Sequence, residues 1–343
     1  MPAETGSLLY DRVLGCLIGG EIGDAMGAPA ENKTYQEIET QYGEITDFAG
    51  PGTDDSAIKH LLIDAIRRGG GYPTADDWAE AWLAQEDLFI RRHMFWIPVM
   101  NGFWKLRGEG VIPRDAGAGN MSSSSSAMGI SPMGIVNAGD PRRAALETYD
   151  VASLIHHNFC RDAACAMAAA VAAALAPQAS LESVLAAATD YLPVLSARVM
   201  RDFIADTLAL TRECIASAPN DAYRSFRRRY YEECLLPGIA MPDARETVPV
   251  TLALFLLADG DPAQSVLYAA NFGRDADTIA SMAGALAGAF RGAAAFPPTW
   301  VEKVRVSSPR DNWAVATELM AVIMQRAAEA ETRYAVLNRM HGG

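Results

Sequence analysis

Three separate stretches of this sequence concentrate carboxylate and hydroxyl side chains. They read GEIGDAMGAPAE, GPGTDDSAIKHL and NFGRDADTIASMAGALAGAF. Oxygen ligands of this kind match Mg²⁺, Ca²⁺ or Mn²⁺ better than Zn²⁺, and no His-rich or Cys-rich spacing competes with them. The sequence therefore indicates a site for hard cations if the three stretches meet. The candidate residues are Asp24, Glu31, Thr53, Asp54, Asp55, Asp275, Asp277 and Thr278.

Each cluster also has a simpler interpretation as a helix N-cap, a position that Thr53, Asp54, Asp275 or Asp277 could fill. A cap needs one short polar side chain, whereas each of these two helix starts carries two acids and a hydroxyl. If the stretches converge, four or five carboxylates share one cavity, and their repulsion favours protonation unless cations are bound. Two divalent ions about 3.5–4 Å apart would nearly balance that charge.

The elements that must position these residues are predicted to be helices. Apolar residues recur at three- and four-residue spacing along most of the chain, and few stretches alternate as a strand would. We therefore expect an all-α fold, with long loops at residues 29–54 and 107–142. The predicted helices cover residues 7–27, 54–68, 162–176, 180–192, 197–216, 248–259 and 312–340.

Composition narrows the functional classes. The chain has 343 residues, half of them hydrophobic, and a formal net charge of −13, which disfavours nucleic-acid binding by bulk electrostatics. Five cysteines without a CxxC pair indicate reduced, mostly buried thiols in a cytoplasmic protein. The N-terminus lacks the pattern of a signal peptide, and no apolar run indicates a membrane span. Length alone leaves one or two domains open.

The three stretches together resemble a known family. GDAMGAPAE, GTDDS and GRDADTIASMAGALAGA, in this order across about residues 8–300, are similar to the three signature segments of the ADP-ribosylglycohydrolase family. The resemblance implies a single large orthogonal helical domain over residues 1–343, with two Mg²⁺ ions, or Mn²⁺ as an alternative, in a cleft. It also implies the metal ligands, which are Thr53, Asp54, Asp55, Asp275, Asp277 and Thr278.

The same resemblance suggests catalytic and substrate-binding residues. Glu31 and Asp55 are the expected catalytic carboxylates, whereas Asp24 is expected to organise the neighbouring loop. The serine run at residues 121–129 has the composition of a flexible linker, but it falls where relatives carry a loop that contacts the diphosphate or ribose. The expected substrate contacts are Ser124, Ser125, Ser126, Met128, His156 and Arg274, with His157 as the alternative to His156.

Two departures from the family pattern concern the substrate. Gly129 stands where relatives have an arginine, and in the third segment Arg274 and Ala276 replace a glycine and a threonine. Arg274 could bind a phosphate or pair with the acidic cluster.

The resemblance implies hydrolysis of the glycosidic bond at the anomeric carbon of ADP-ribose attached to a protein side chain or small molecule. One alternative is the same chemistry on a nucleoside or another small ribosyl substrate. A second is a catalytically silent binding or immunity-type protein. The sequence leaves the aglycone and the oligomeric state open.

Three further patterns are interpreted structurally. Glycines at residues 15, 19, 23 and 27 share the four-residue spacing of close helix packing. Arg227–Arg229 are interpreted as a solvated helical face. The aromatic residues Phe95, Trp96, Phe103 and Trp104 are expected in the core, with a wall that stacks on a base as the alternative.

Overall fold

The computed structural model describes residues 6–238 and 241–341, and these ranges contain 18 α-helices and one pair of two-residue strands. The predicted all-α fold is confirmed. Residues 1–5, on which the expected absence of a signal peptide partly depends, lie outside the described ranges. The helices are α1 (Leu8–Gly27), α2 (Tyr35–Tyr42), α3 (Asp54–Arg68), α4 (Ala75–Ala84), α5 (Glu86–Ile90), α6 (Ile97–Trp104), α7 (Pro113–Ala116), α8 (Ser131–Val136), α9 (Pro141–Val151), α10 (Phe159–Ala174), α11 (Leu181–Asp190), α12 (Arg198–Ser217), α13 (Ala222–Glu233), α14 (Ala244–Leu257), α15 (Pro262–Ala270), α16 (Ala276–Arg291), α17 (Pro298–Ser307) and α18 (Asn312–His341).

Helices α1 and α16 form the centre of the molecule and pack backbone to backbone. A Cβ atom at Gly19 would lie 2.2 Å from the carbonyl oxygen of Gly284, and one at Gly23 would lie 1.9 Å from that of Ala280. Both distances are far below van der Waals contact, so only glycine fits at these crossings. The packing role predicted for the regularly spaced glycines is confirmed.

Three helix termini meet at one end of this central pair. Helix α1 ends at Gly27, whereas α3 and α16 begin at Asp54 and Ala276. Helix α3 carries acids in its first turn and Arg67 and Arg68 in its last, as its dipole favours, and it ends before Gly69. The oxygen-rich stretches of the sequence lie at these three termini.

The expectation of long loops is wrong in part, because both segments contain short helices. Residues 29–54 include α2, which begins with a capping box in which Thr34 and Glu37 bond each other's backbone N–H groups. Residues 107–142 include α7 and α8, each with a proline in its first two positions. These capping box and proline signals are local and readable, but short helices lack the repeated periodicity on which the prediction depended.

A short antiparallel ribbon links the first and third signature segments. Strand β1 (Lys33–Thr34) pairs with β2 (Gly273–Arg274), and Lys33 lies opposite Arg274. The N–H of Asn32 also donates to the carbonyl of Arg274 at 2.8 Å. The ribbon therefore holds the loop after α1 against the start of α16.

Two predictions about exposed and buried side chains need correction. Arg227 is buried, because it donates to the carbonyl of Asn271 and its guanidinium lies over the rings of Tyr35 and Tyr223. Its assignment to a solvated face is wrong. Of the four aromatic residues, Phe95 and Phe103 are in the core as expected, whereas Trp96 and Trp104 are exposed.

The prediction of unpaired, mostly buried cysteines is confirmed. All five cysteines are free thiols, four of them buried and Cys234 partly exposed. Among the described helices, none combines the length and hydrophobicity needed to cross a membrane.

Candidate metal centre

The start of α3 is capped by a residue of another helix. Thr53 occupies the N-cap position, but its side chain accepts no backbone hydrogen bond there. Instead, Asp24 of α1 accepts the N–H of Ser56 at 2.9 Å, the group that an N-cap side chain ordinarily binds. Asp24 also accepts the N–H and the hydroxyl of Thr53, both at 2.8 Å, and the hydroxyl of Ser56 at 2.5 Å. Asp24 therefore fixes the first turn of α3, in agreement with its expected loop-organising role.

The side chains at the starts of α3 and α16 consequently stay free for other contacts. The simple N-cap interpretation fails for both Thr53 and Asp275, since neither side chain bonds the backbone of its own helix. Asp275 instead accepts the hydroxyl of Ser124 at 2.9 Å. Two deeply buried carboxylate oxygens, Asp55 Oδ1 and Asp277 Oδ1, have no hydrogen-bond partner among the described residues. Buried polar atoms are nearly always partnered, so these two oxygens fit a site for a bound cation.

Burial and mutual repulsion perturb the protonation of the whole cluster. The pKa of Asp275 is raised to about 7, chiefly by burial, with the nearby charge of Glu31 adding to the shift. The pKa of Asp54 is raised to about 6, again by burial and then by the charge of Asp24. For Asp55 and Asp277 burial is again the main cause, and the neighbouring carboxylates add to it, so both pKa values lie well above the ordinary value. A positive ion among these groups would relieve both penalties.

The donor set fits a hard divalent cation. Carboxylate oxygens of Asp24, Asp55 and Asp277 all lie within 4.8 Å of one another. Both oxygens of Asp24 already accept two hydrogen bonds each, whereas Asp55 and Asp277 each keep one oxygen unpartnered. The unpartnered oxygens are therefore better placed as ligands than those of Asp24. An all-oxygen set of this kind suits Mg²⁺ or Mn²⁺.

A cavity of about 470 Å³ opens above this cluster. Its volume lies in the range of small-molecule sites, roughly 300–1,000 Å³. All six predicted metal ligands line it, together with Glu31, Ser124, Ser125 and Met128. Three predicted substrate-binding residues are not on its wall: Ser126, His156 and Arg274.

Glu31 reaches the cavity from a sharply turned loop. It is exposed and follows the end of α1 by four residues, and Asn32 next to it has a left-handed backbone with φ of 61°. The side-chain amide of Asn32 donates to Glu31 Oε1 at 3.1 Å. The ribbon ties Asn32 to Arg274, and Glu31 and Asp275, their neighbours along the two segments, both line the cavity.

The serine run is an ordered part of the wall. Residues 123–126 are almost fully buried, so the linker interpretation does not describe them. The N–H of Ser124 donates to the carbonyl of Pro242 at 2.6 Å, while its hydroxyl binds Asp275. The loop thereby connects the acidic cluster to the segment before α14.

The two candidate histidines, His156 and His157, are not on the cavity wall. His156 is fully buried behind the serine run, where its Nδ1 lies 2.9 Å from Ser126 Oγ, and burial lowers its pKa to about 4. Ser126 in turn donates to the carbonyl of Cys160 at 2.9 Å. His157 is exposed and contacts the carbonyl of Arg114. In this structure His156 supports the loop from behind.

Arg274 turns away from the acidic cluster. Its guanidinium forms two hydrogen bonds with the buried carboxylate of Glu246, at 2.8 and 3.0 Å. Its backbone has φ of 64°, a left-handed conformation that favours the glycine of the family pattern.

Six further residues line the cavity that the sequence did not single out as site residues. Trp96 is held beside the cluster, since its backbone N–H donates to Asp54 Oδ2 at 3.3 Å. Aromatic clustering offered a signal for Phe95 and Trp96, but nothing local distinguished the wall from the core. The six are Asn32, His93, Met94, Phe95, Trp96 and Pro242.

The fold and the site together define an all-α protein with a buried acidic centre, whose carboxylate and hydroxyl oxygens suit divalent cations. Comparison with known proteins gives the family. The chain belongs to the ADP-ribosylglycohydrolase family, whose model matches residues 5–333. The resemblance stated from the sequence is therefore confirmed.

Individual relatives agree with this assignment. The chain is 27% identical to "Uncharacterized protein YegU" of Escherichia coli (strain K12) over 349 residues, which cover 93% of this chain and 99% of the relative. It is 24% identical to the "ADP-ribosyl-[dinitrogen reductase] glycohydrolase" of Rhodospirillum rubrum, over 93% of this chain and 98% of that one. A solved structure, "ADP-ribosylglycohydrolase-related protein complex", shares the fold with a TM-score of 0.64 at 21% identity, covering 92% of this chain and 99% of its own.

Proposed function

We propose that this protein is a metal-dependent hydrolase that cleaves the glycosidic bond at the anomeric carbon of ADP-ribose attached to a protein side chain or small molecule. The observation that carries the proposal is the pair of buried, unpartnered oxygens, Asp55 Oδ1 and Asp277 Oδ1, beneath a cavity large enough for a nucleotide-sized ligand. Membership of a family of ADP-ribosyl hydrolases supports the reaction class.

The proposed ligands of two divalent cations are Thr53, Asp54, Asp55, Asp275, Asp277 and Thr278. Such ions would orient ribose hydroxyls and lower the pKa of a nearby water molecule. Mg²⁺ is the proposed occupant and Mn²⁺ an alternative, because the donor atoms are all oxygen.

The chain's own residues supply the remaining chemistry. Glu31 is the one exposed carboxylate among the proposed site residues, so it can exchange a proton with water or with the leaving group. Bond cleavage builds positive charge on the ribose ring, and the acidic floor stabilises that charge. Asp55 is proposed to contribute to this field as well as to metal binding. Ser125 and Met128 shape the wall that faces the substrate.

A specific observation favours a smaller ribosyl substrate as the second candidate. The described residues on the cavity wall include neither arginine nor lysine, and Arg274 is paired with Glu246. A diphosphate would therefore meet serine hydroxyls and His93 in place of guanidinium groups. A nucleoside would not require a basic wall.

The test is hydrolysis by the purified protein. Arginine-linked and serine-linked ADP-ribosyl peptides are incubated with Mg²⁺, with Mn²⁺ and with EDTA, and released ADP-ribose is measured by chromatography. Metal-dependent release supports the main proposal, and cleavage of nucleosides alone supports the second candidate. Binding of ADP-ribose without cleavage of any ribosyl substrate would overturn both and support the silent binding protein.

A further inference from the structure

A fully buried lysine lies beneath the acidic cluster. Lys59 of α3 is 1% exposed, and its Nζ lies 3.5 Å from the hydroxyl of Ser281 on α16. Gly20 of α1 makes room for the ammonium, because a Cβ atom there would lie 2.2 Å from Nζ. The three central helices therefore form a closed chamber around one positive charge.

The chamber is one helical turn deeper than the proposed metal ligands. Lys59 follows Asp55 by four residues, and Ser281 follows Asp277 by four residues along α16. One turn of an α-helix rises about 5.4 Å, so Lys59 belongs to the layer directly below the carboxylates.

On α1 the order is reversed, since Gly20 precedes Asp24 by four residues and the helix ends at the site. Each of the three helices thus carries an acid in the upper layer. In the lower layer α3 carries Lys59, and α1 and α16 place Gly20 and Ser281 beside its ammonium group.

A buried ammonium is strongly unfavourable without compensating negative charge. The charge of Lys59 also acts on Glu21, but the Glu21 carboxylate already pairs with His60 at 2.9 Å. The positive charge of Lys59 also lowers the pKa of Asp24, although burial raises that pKa overall. The carboxylates one helical turn above Lys59 therefore supply compensating negative charge, and Lys59 in turn offsets part of the repulsion within the cluster.

We propose that Lys59 is a built-in countercharge, a positioning residue that holds the acidic cluster together before metal binds and limits how tightly divalent cations are then held. This inference rests on the metal site of the proposed function. Lys59 touches neither substrate nor ion, and it acts through the electrostatic field one layer below them. Its charge opposes that of an arriving cation, so the ions would bind reversibly instead of being trapped.

The first test is metal affinity of the Lys59→Met variant, which keeps the chain length and removes the charge. Calorimetric titration of the purified protein with MgCl₂ and MnCl₂ at pH 8 should show binding tightened by about tenfold or more, since like charges no longer repel. Without metal, the variant should melt at a lower temperature than wild type. The matched control is Lys303→Met, which removes the same charge from a partly exposed lysine outside the cavity and should leave metal affinity unchanged.

The outcomes separate this inference from the proposed function. Equal or weaker metal binding by Lys59→Met, with clear binding by wild type, overturns the countercharge alone. Absence of saturable binding by wild type overturns the metal site and the inference together.

A second measurement uses the wild-type protein and does not depend on folding of the variant. The sequence contains four lysines, and Lys59 is the fully buried one among them. In protein labelled with ¹⁵N-lysine, NMR should show one ammonium signal protected from exchange with water. Mg²⁺ should shift that signal and Mn²⁺ should broaden it. A protected signal that responds to neither ion, or a neutral amine at this position, would overturn the inference.

Discussion

The hydroxyl of Thr278 lies 3.3 Å from Asp55 Oδ2, so the first turn of α16 touches the first turn of α3 across 223 residues of sequence. A reciprocal contact joins Thr53 Oγ1 to Asp277 Oδ2 at 3.4 Å. Each carboxylate thus has one oxygen near a hydroxyl from the other helix start, although the Thr53 hydroxyl makes its shorter hydrogen bond with Asp24 at 2.8 Å. The second oxygen of each carboxylate has no hydrogen-bond partner among the described residues. This crossed arrangement directs the two free oxygens to a ligand and motivates the first prediction.

Asp277→Asn should strongly weaken metal binding and turnover while leaving the fold intact. Loss of an outer-shell partner of a metal typically costs about 10–100-fold, so replacing a proposed direct carboxylate ligand by a neutral amide should lower Mg²⁺ affinity and kcat by about 100-fold or more. Because burial and neighbouring carboxylates already disfavour the ionised form of Asp277, a neutral amide is tolerated there, and the melting temperature in EDTA should stay equal or rise. Calorimetry and thermal melting measure both effects, and undiminished turnover without added metal would contradict the metal assignment.

Glu31→Gln provides the contrasting variant. Glu31 is exposed and has a proposed role in proton transfer, so this change should lower kcat by roughly 100-fold with little change in metal affinity. Parallel loss of metal binding would instead place Glu31 among the ligands.

The contribution of the acidic cluster to the stability of the metal-free protein should fall as pH rises from about 4 to about 7. A carboxyl whose folded pKa is raised stays protonated in the native state while the unfolded chain ionises, so raising the pH favours unfolding until the native group also ionises. For Asp275 that upper limit is about 7, and Asp54, with a pKa of about 6, adds in the same direction.

The buried His156 acts in the opposite sense. Its pKa is lowered to about 4, so its contribution to stability is lost as pH falls below the unfolded value of about 6.5. This contribution is the same with and without metal. The measured quantity is therefore the rise in melting temperature caused by saturating Mg²⁺, which should increase from pH 5 to pH 8. A rise that is independent of pH would show that the acids do not change protonation when metal binds.

The sequence predicts the acidic cluster well because its signal is local. Two acids and a hydroxyl at one helix start exceed what a cap requires, and the surplus at Asp55 and Asp277 is what the structure leaves unpartnered. The glycine spacing on α1 is equally local, since close packing excludes every larger side chain.

The direction of long side chains outside the acidic cluster is harder to predict, because it depends on partners that are distant in sequence. Arg274 turns to Glu246 on α14, and Arg227 is buried between tyrosines of α2 and α13. Phe95 and Trp96 are neighbours and both line the cavity, yet Phe95 is buried in the core and Trp96 is exposed. Residue type and spacing alone do not indicate the direction or the burial of these side chains.

Gly23→Ala should destabilise the whole domain. The added Cβ atom would lie 1.9 Å from the carbonyl oxygen of Ala280, and backbone atoms in the middle of two long helices cannot give way locally. We expect a loss of about 3 kcal/mol or more in the free energy of unfolding. Urea denaturation measures it, with Gly6→Ala as control because no described residue lies within 4 Å of a Cβ atom there. Wild-type stability of Gly23→Ala would show that α1 and α16 are farther apart than the structure has them.

Arg274→Gly tests whether this residue serves the fold or the substrate. Glycine relieves a left-handed backbone, worth about 1–3 kcal/mol, but it leaves the buried Glu246 without its partner, which costs about 3–5 kcal/mol. The variant should therefore be less stable by about 2 kcal/mol, the difference between those two ranges. Adding Glu246→Gln should recover part of that loss, because a neutral amide is less unfavourable to bury than an unpaired carboxylate. Urea denaturation of the two single variants and the double variant gives the coupling between them.

Since Arg274 is not on the cavity wall, kcat/KM of the folded variant should remain within about threefold of wild type. A large fall in kcat/KM with unchanged stability would instead assign Arg274 to substrate binding, and would require its guanidinium to leave Glu246 when substrate arrives.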